Sequence, residues 1–227
     1  QTFEVRQKAA EPEAPRPVLQ NRDRSTPASI TQMRSIAARP DYQRVSISRD
    51  FANGAPVVEP GAAVPSNRKG RAEVVSTASG RKIRTQYAVI EASDLLPSHD
   101  INGSQNTEYA TGAKGKSRAI AGNGRVTGIS HAYAQGTASE YRRELEADAA
   151  GHGISPEAIK GMKQPVLVRI MPQDQITQDI GDESNTTGVS GLSGSERAMN
   201  DARRINIDDM EFSESGEISE TTVRQFV

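Results

Sequence analysis

Ala119-Ile120-Ala121-Gly122-Asn123-Gly124-Arg125 is the stretch whose reading decides the fold. Residues 117–121 form a small, largely apolar run that fits a short buried strand. After Arg125, apolar residues recur at 126, 129, 132 and 133, which is helical spacing, and Gly136 ends the run. A strand therefore enters a tight glycine turn and a helix starts at once. Helix N-termini present unpaired N–H groups and a partial positive charge, so such a turn can hold a phosphate. Gly122 and Gly124 permit positive φ and a close anion, and Arg125 adds a planar fork for two phosphate oxygens. Lys114, Lys116 and Arg118 precede the turn and add positive charge. The same residues also fit a plain strand–turn–helix with a surface arginine and a basic solvated loop. The pattern is neither Gly-x-Gly-x-x-Gly nor a P-loop.

Outward from the turn, Thr85 to Ala92 is rich in strand formers and Asp94-Leu95-Leu96-Pro97 reads as a short helical turn. Ser98 to Gly115 is a long polar loop. Thr137 or Ser139 opens a second helix with Tyr141, Leu145 and Ala149 inward and Gly151 closing it. Ser155-Pro156 starts a third, and Pro165 to Met171 is the strongest strand. Ser193-Gly194-Ser195-Glu196 is a capping box for a helix Glu196 to Arg204. On the N-terminal side, residues 1–30 read as a disordered or extended arm interrupted by prolines. Ile30 to Ala38 is a short helix capped by Ser29. Residues 31–81 read as a loop-rich wrapping segment with little core of its own, in which Val57-Val58 and Val74-Val75 are strand fragments. The expected organisation is an arm (1–30), a wrapping segment (31–81), a packed domain (82–205) and an acidic tail (206–227).

The 227 residues include nine Phe and Tyr, no Trp and no Cys, and hydrophobic residues make up 34%. The core is lean for this length. Absence of cysteine excludes disulfides, thiol catalysis, iron–sulfur clusters and Cys-ligated zinc. Three histidines without HExxH or HxH spacing do not make a zinc site, and neither zinc nor haem is expected. No apolar run is long enough to span a bilayer, and the N-terminus has no apolar signal region, so no secretion by signal peptide is expected. Residue 1 is Gln, so the chain reads as a piece or processed form of something longer. The net charge of −1 hides an asymmetry. Residues 1–84 carry 15 Lys+Arg against 8 Asp+Glu, residues 85–173 carry 9 against 9, and residues 174–227 carry 4 against 12. A basic leading segment can attach to nucleic acid, to an acidic surface or to its own acidic tail, or stand as a solvated arm.

Four segments in order make the sequence resemble the ParB/sulfiredoxin superfamily, most closely the DdrB-like ParB domain of polyvalent proteins from phages and conjugative elements. They are Tyr87 to Asp100, with Ser98-His99-Asp100; Ala121-Gly122-Asn123-Gly124-Arg125 running on to Ala132-Tyr133; Pro165 to Arg169; and Glu183-Ser184-Asn185 followed by Leu192-Ser193 and the helix from Glu196 to Ala202. Asn53-Gly54-Ala55-Pro56-Val57-Val58 adds a softer likeness. The resemblance implies a small α+β domain, a mixed sheet with helices and a long extended N-terminal arm, that binds a nucleotide, CTP or ATP with Mg²⁺. The triphosphate would lie on Gly122, Asn123, Gly124 and Arg125, with Glu183 and Asn185 assisting Mg²⁺ and phosphate. Two departures stand out. Thr-Thr-Gly-Val follows Asn185, so the arginine of that segment is missing, and no DNA-reading helix-turn-helix follows residue 205.

Smaller candidates complete the reading. Ser98-His99-Asp100 cannot form a catalytic relay, because adjacent residues do not converge. His99 alone is a candidate nuclease base, and Glu91 a carboxylate near a nucleotide. Asp179 and Asp182, beside Glu183, can share a metal or form a solvated acidic loop. His131 is expected to be exposed, and His152, in Gly-His-Gly, to sit at a helix cap. The reading that follows is a nucleotide-binding ParB-like domain of a phage or mobile-element protein acting on or near DNA, in DNA protection, anti-restriction or processing. The alternative is a virion-associated or scaffolding protein that keeps the fold as an interaction module, its arm holding other chains of the assembly. A nuclease is the third. The implied location is the bacterial host cytoplasm or the virion interior.

Overall fold

The computed structural model describes residues 27–77, 79–110, 112, 115–177, 180 and 183, and the account below concerns these. The expected N-terminal arm up to residue 26, the helix from Glu196 and the acidic tail lie outside them. Five helices and a six-stranded mixed sheet make an α+β domain. The helices are α1 (Pro27–Ala38), α2 (Tyr42–Ile47), α3 (Asn123–Gln135), α4 (Ser139–Asp148) and α5 (Pro156–Lys160). The strands are β1 (Val57–Glu59), β2 (Lys69–Ser76), β3 (Lys82–Glu91), β4 (Leu95–Leu96), β5 (Ser117–Ala121) and β6 (Pro165–Ile170). Their order across the sheet is β2-β3-β6-β1-β5-β4. The β1–β6 and β4–β5 pairs are parallel and the others antiparallel.

The middle of the sheet explains its composition. β6 lies between β3 and β1, and its Pro-Val-Leu-Val-Arg run is buried throughout. A strand covered on both faces reads as a continuous apolar run. One apolar cluster joins Val58, Tyr87, Val89 and Leu167 to Val126, Ile129, Tyr141, Leu145 and Ile159 from the helices. A second gathers Phe51, Val57, Ile83, Ile120, Tyr109 and Ile176. Tyr141, Leu145 and Ala149 are all fully buried, as the spacing of α4 requires. Gly136 caps α3 in the left-handed region (φ 74°), its N–H bonded to the carbonyls of Ala132 and Tyr133.

Residues 31–81 depart from the expected wrapping segment. They supply α2, β1, β2 and most of α1, and β1 is an inner strand flanked by β5 and β6. Val57 and Val58 are fully buried. The strand fragments expected at Val57-Val58 and Val74-Val75 lie in β1 and β2. A three-residue strand has no period to show that it sits inside a sheet, so only its neighbours reveal that place. The helix expected from Ile30 starts at Pro27 instead. It packs closely on α3 because α3 has glycine where they meet. A Cβ on Gly128 would lie 2.6 Å from Ile36 Cγ2 and 2.9 Å from the Met33 carbonyl oxygen. Residues 92–94 form a 3-10 turn, but Leu95-Leu96 is strand β4 rather than part of a helical turn, paired with β5. α4 passes into a 3-10 turn that ends at Gly153 (φ 73°), two residues beyond the expected stop.

His152 is not a simple cap. It is buried at the end of that turn, with Nε2 2.8 Å from the Tyr42 hydroxyl and 3.2 Å from Asp148 Oδ2. The Tyr87 ring lies 4.6 Å away, centroid to centroid. Burial lowers its pKa below the usual 6.5, Arg71 on β2 acts in the same direction, and Asp148 and Glu73 act against them. Nδ1 has no acceptor among the described residues, so a second proton would be stranded there. The unfolded chain thus takes up this proton at a higher pH than the folded one. The contribution is fully present above 6.5 and is lost as pH falls through 6.5 toward the folded value. Urea midpoints are expected to drop between pH 7.5 and 5.5, with a flatter profile in His152→Gln. An identical profile in the variant would refute this.

Candidate functional site

One end of the sheet is organised around a row of paired residues: Tyr87 with Arg169, Arg169 with Val57, and Val57 with Ala121. Ala121 leads directly into the Gly122 turn, and Val57 is preceded by the loop 50–56. The turn, the loop and Arg169 therefore meet at one place.

Gly122 has φ 80° and precedes the first residue of α3, which no side chain caps. An L residue would be strained there. A Cβ on Gly122 would also stand 2.8 Å from Arg125 Nη2, so the guanidinium folds back over its own turn. That Nη2 donates to the Ala52 carbonyl at 2.6 Å, while Nε is buried with no hydrogen-bond partner among the described residues. The Asn123 side chain has another task. Its Oδ1 accepts from the Ser98 N–H at 2.8 Å and anchors the following loop to α3. Gly124 faces α1, where a Cβ would meet Met33 Cγ at 3.3 Å.

Arg169 was not singled out as a functional residue by the sequence. It is fully buried, with Nε 2.8 Å from the Ala55 carbonyl and Nη2 2.9 and 2.7 Å from those of Asp50 and Asn53. Nη1 has no partner among the described residues. No carboxylate pairs with Arg125 or Arg169 among the described residues. Burial, then Arg169 and Arg44, bring the Arg125 pKa down to about 10. Burial likewise lowers Arg169 to about 10. Tyr87 and the carboxylates of Glu73 and Asp50 act against that lowering at Arg169 from beyond ion-pair distance. Both arginines stay cationic at neutral pH, and neither has a carboxylate in direct contact among the described residues. The available signal was a lone arginine within the most apolar strand, since a buried charge needs a reason.

The other sequence candidates lie elsewhere. Arg118 is corrected from a phosphate ligand to a structural residue. It is fully buried, and its Nη2 and Nε contact Glu59 Oε2 at 2.6 and 2.9 Å. Lys116 precedes β5 while Gly122 follows it, roughly 20 Å away at about 3.3 Å per residue. It cannot share a phosphate with the turn. Glu91 accepts the N–H groups of Lys163 and Gln164 at 2.9 and 2.7 Å and holds the entry to β6. His99 is buried against α3, with Nδ1 2.8 Å from Ser98 Oγ and its carbonyl accepting from Thr127 Oγ1 at 2.8 Å. It borders a groove of about 410 Å³ shared with Asp100, Gln105, Ser130 and His131. His131 is half-buried rather than exposed. Glu183 pairs with Arg81 at 3.3 Å, beside the start of β3, at the sheet end away from Gly122. Asn185, Asp179, Asp182 and Lys114 lie outside the described residues. Among the described residues no three His, Asp or Glu side chains gather as a metal site. No described helix is long and apolar enough to cross a membrane.

A six-stranded mixed sheet with a glycine-opened, arginine-bearing helix N-terminus at one end makes an α+β domain. The model of the ddrB-like ParB superfamily domain matches residues 2–77 and 113–172, more than half of the chain, and the chain belongs to that family. The match contains loop 50–56, the Gly122 turn and Arg169. It leaves out residues 78–112, with β3, β4 and the Ser98-His99-Asp100 loop, and also the segment from Glu183. No curated protein and no solved structure matches the chain significantly.

Proposed function

We propose that this ParB-like domain binds the phosphates of a nucleotide, CTP or ATP with Mg²⁺, at the Gly122–Arg125 turn. We further propose that it acts on or near DNA in a phage or mobile-element protein, in DNA protection, anti-restriction or processing. The supporting observation is the Arg125 guanidinium, laid over the left-handed Gly122 at the N-terminus of a thirteen-residue helix, with no carboxylate partner among the described residues. A helix N-terminus with an adjacent unpaired cation is suited to phosphate oxygens. The Ala52 carbonyl that Arg125 Nη2 now contacts is an acceptor of the kind a phosphate oxygen would replace. A second reading, a scaffold that keeps the fold without a ligand, is favoured by Arg118, Glu91 and Asn123, whose side chains all hold the fold together.

Calorimetric titration with CTP, ATP and GTP, each with Mg²⁺, separates the two. One nucleotide is expected to bind the wild type. Arg125→Ala should weaken it more than tenfold while the melting temperature moves by only a few degrees. No binding of any nucleotide to the folded wild type would leave the scaffold reading.

A further inference from the structure

Two guanidiniums lie at the Gly122 turn, and only one is reached by reading the turn itself. Arg169 comes from the next strand but one. Its side chain is locked by the carbonyls of Asp50, Asn53 and Ala55, while Arg125 is held by that of Ala52. One short loop thus supplies the acceptors for both. Carbonyl dipoles orient a guanidinium without neutralising it, and like charges in a buried setting repel. Neither guanidinium has a carboxylate in direct contact, Glu73 and Asp50 acting on Arg169 only from farther off, and among the described residues Arg125 Nε and Arg169 Nη1 have no hydrogen-bond partner. A site with that balance is best relieved by an anion carrying at least two charges.

We propose that Arg169 is the second cation of this site, a buried positioning residue whose charge behind Arg125 makes the turn select dianionic phosphate groups over monoanions. This rests on the nucleotide reading and names the chemistry that the turn recognises, the polyphosphate itself. Arg169 acts through the loop and through its field, and Arg125 makes the contact. Inorganic pyrophosphate without a nucleoside is therefore a ligand in its own right.

The test uses the whole chain and pyrophosphate as the calorimetric probe at pH 8. Wild type is expected to bind pyrophosphate, and Arg169→Gln to bind it at least tenfold more weakly. Arg169→Lys, which keeps the charge and loses part of the carbonyl lock, is expected to fall between them. A second measurement needs no variant. Sulfate is expected to displace pyrophosphate from the wild type, and nitrate at equal ionic strength is not. Equal pyrophosphate affinity in a folded Arg169→Gln protein, or equal competition by sulfate and nitrate, would overturn the role of Arg169 while leaving nucleotide binding intact. Should the wild type bind neither nucleotide nor pyrophosphate, the nucleotide reading would fall with it. Should nucleotide bind and pyrophosphate not, only the polyphosphate inference would fail.

Discussion

Glu59→Ala is expected to lower the unfolding free energy by about 3–5 kcal/mol, the usual result of removing one partner from a buried ion pair. Glu59 is on inner strand β1 and Arg118 on its neighbour β5, paired residue against residue. Both side chains are almost completely buried, and one carboxylate oxygen receives two guanidinium nitrogens at 2.6 and 2.9 Å. Arg118 Nη1 also reaches the carbonyl of Ala110 at 3.1 Å, so the pair ties the 98–116 loop to the sheet. Alanine at 59 leaves a guanidinium in the core facing a void. The double variant Glu59→Leu/Arg118→Met replaces the pair by apolar side chains and should recover most of the loss, since desolvating two charges nearly cancels their attraction. Urea denaturation of the single and the double variant checks this. A single variant as stable as wild type would refute the buried pair's role.

Gly54→Ala is expected to cost more than the about 1–2 kcal/mol that the left-handed conformation alone imposes on an L residue. Gly54 has φ 79°, and a Cβ there would lie 2.3 Å from the Ser48 carbonyl oxygen. Both obstacles are backbone, so no side-chain rotation relieves them. The loop has to move, and its carbonyls at 50, 52, 53 and 55 are what hold Arg125 and Arg169. Loss of stability and at least tenfold loss of nucleotide or pyrophosphate affinity should therefore appear together. Chemical denaturation and calorimetry on the same preparation decide the matter. A Gly54→Ala protein with wild-type affinity would show that the loop does not organise the arginines.

The two predictions mark different degrees of legibility. Gly122 to Arg125, the helix after it and strands β5 and β6 were readable, because a 3.6-residue period, a continuous apolar run and terminal glycines are local signals. Glu59 and Gly54 were not. They lie in the segment read as wrapping, where one three-residue strand gives no period. Arg118 and Arg125 show the limit most clearly. Both flank the same glycine turn in sequence, yet one faces Glu59 in the core and the other folds over the helix N-terminus. Alternation along β5 cannot separate them, since all five residues of that strand are buried.

The sequence by itself determined the strand–glycine–helix unit at 117–135, the inward face of α4 and the exclusion of cysteine chemistry, while the α+β class came from its resemblance to a family. The first three follow from residue types and spacings along one stretch of chain. Only the tertiary structure decided that β1 is an inner strand, that Arg118 and Glu91 are structural, and that Arg169 stands behind Arg125. Each of those depends on a partner far away in sequence, and buried charge is placed by pairing across the sheet rather than by its neighbours along the chain.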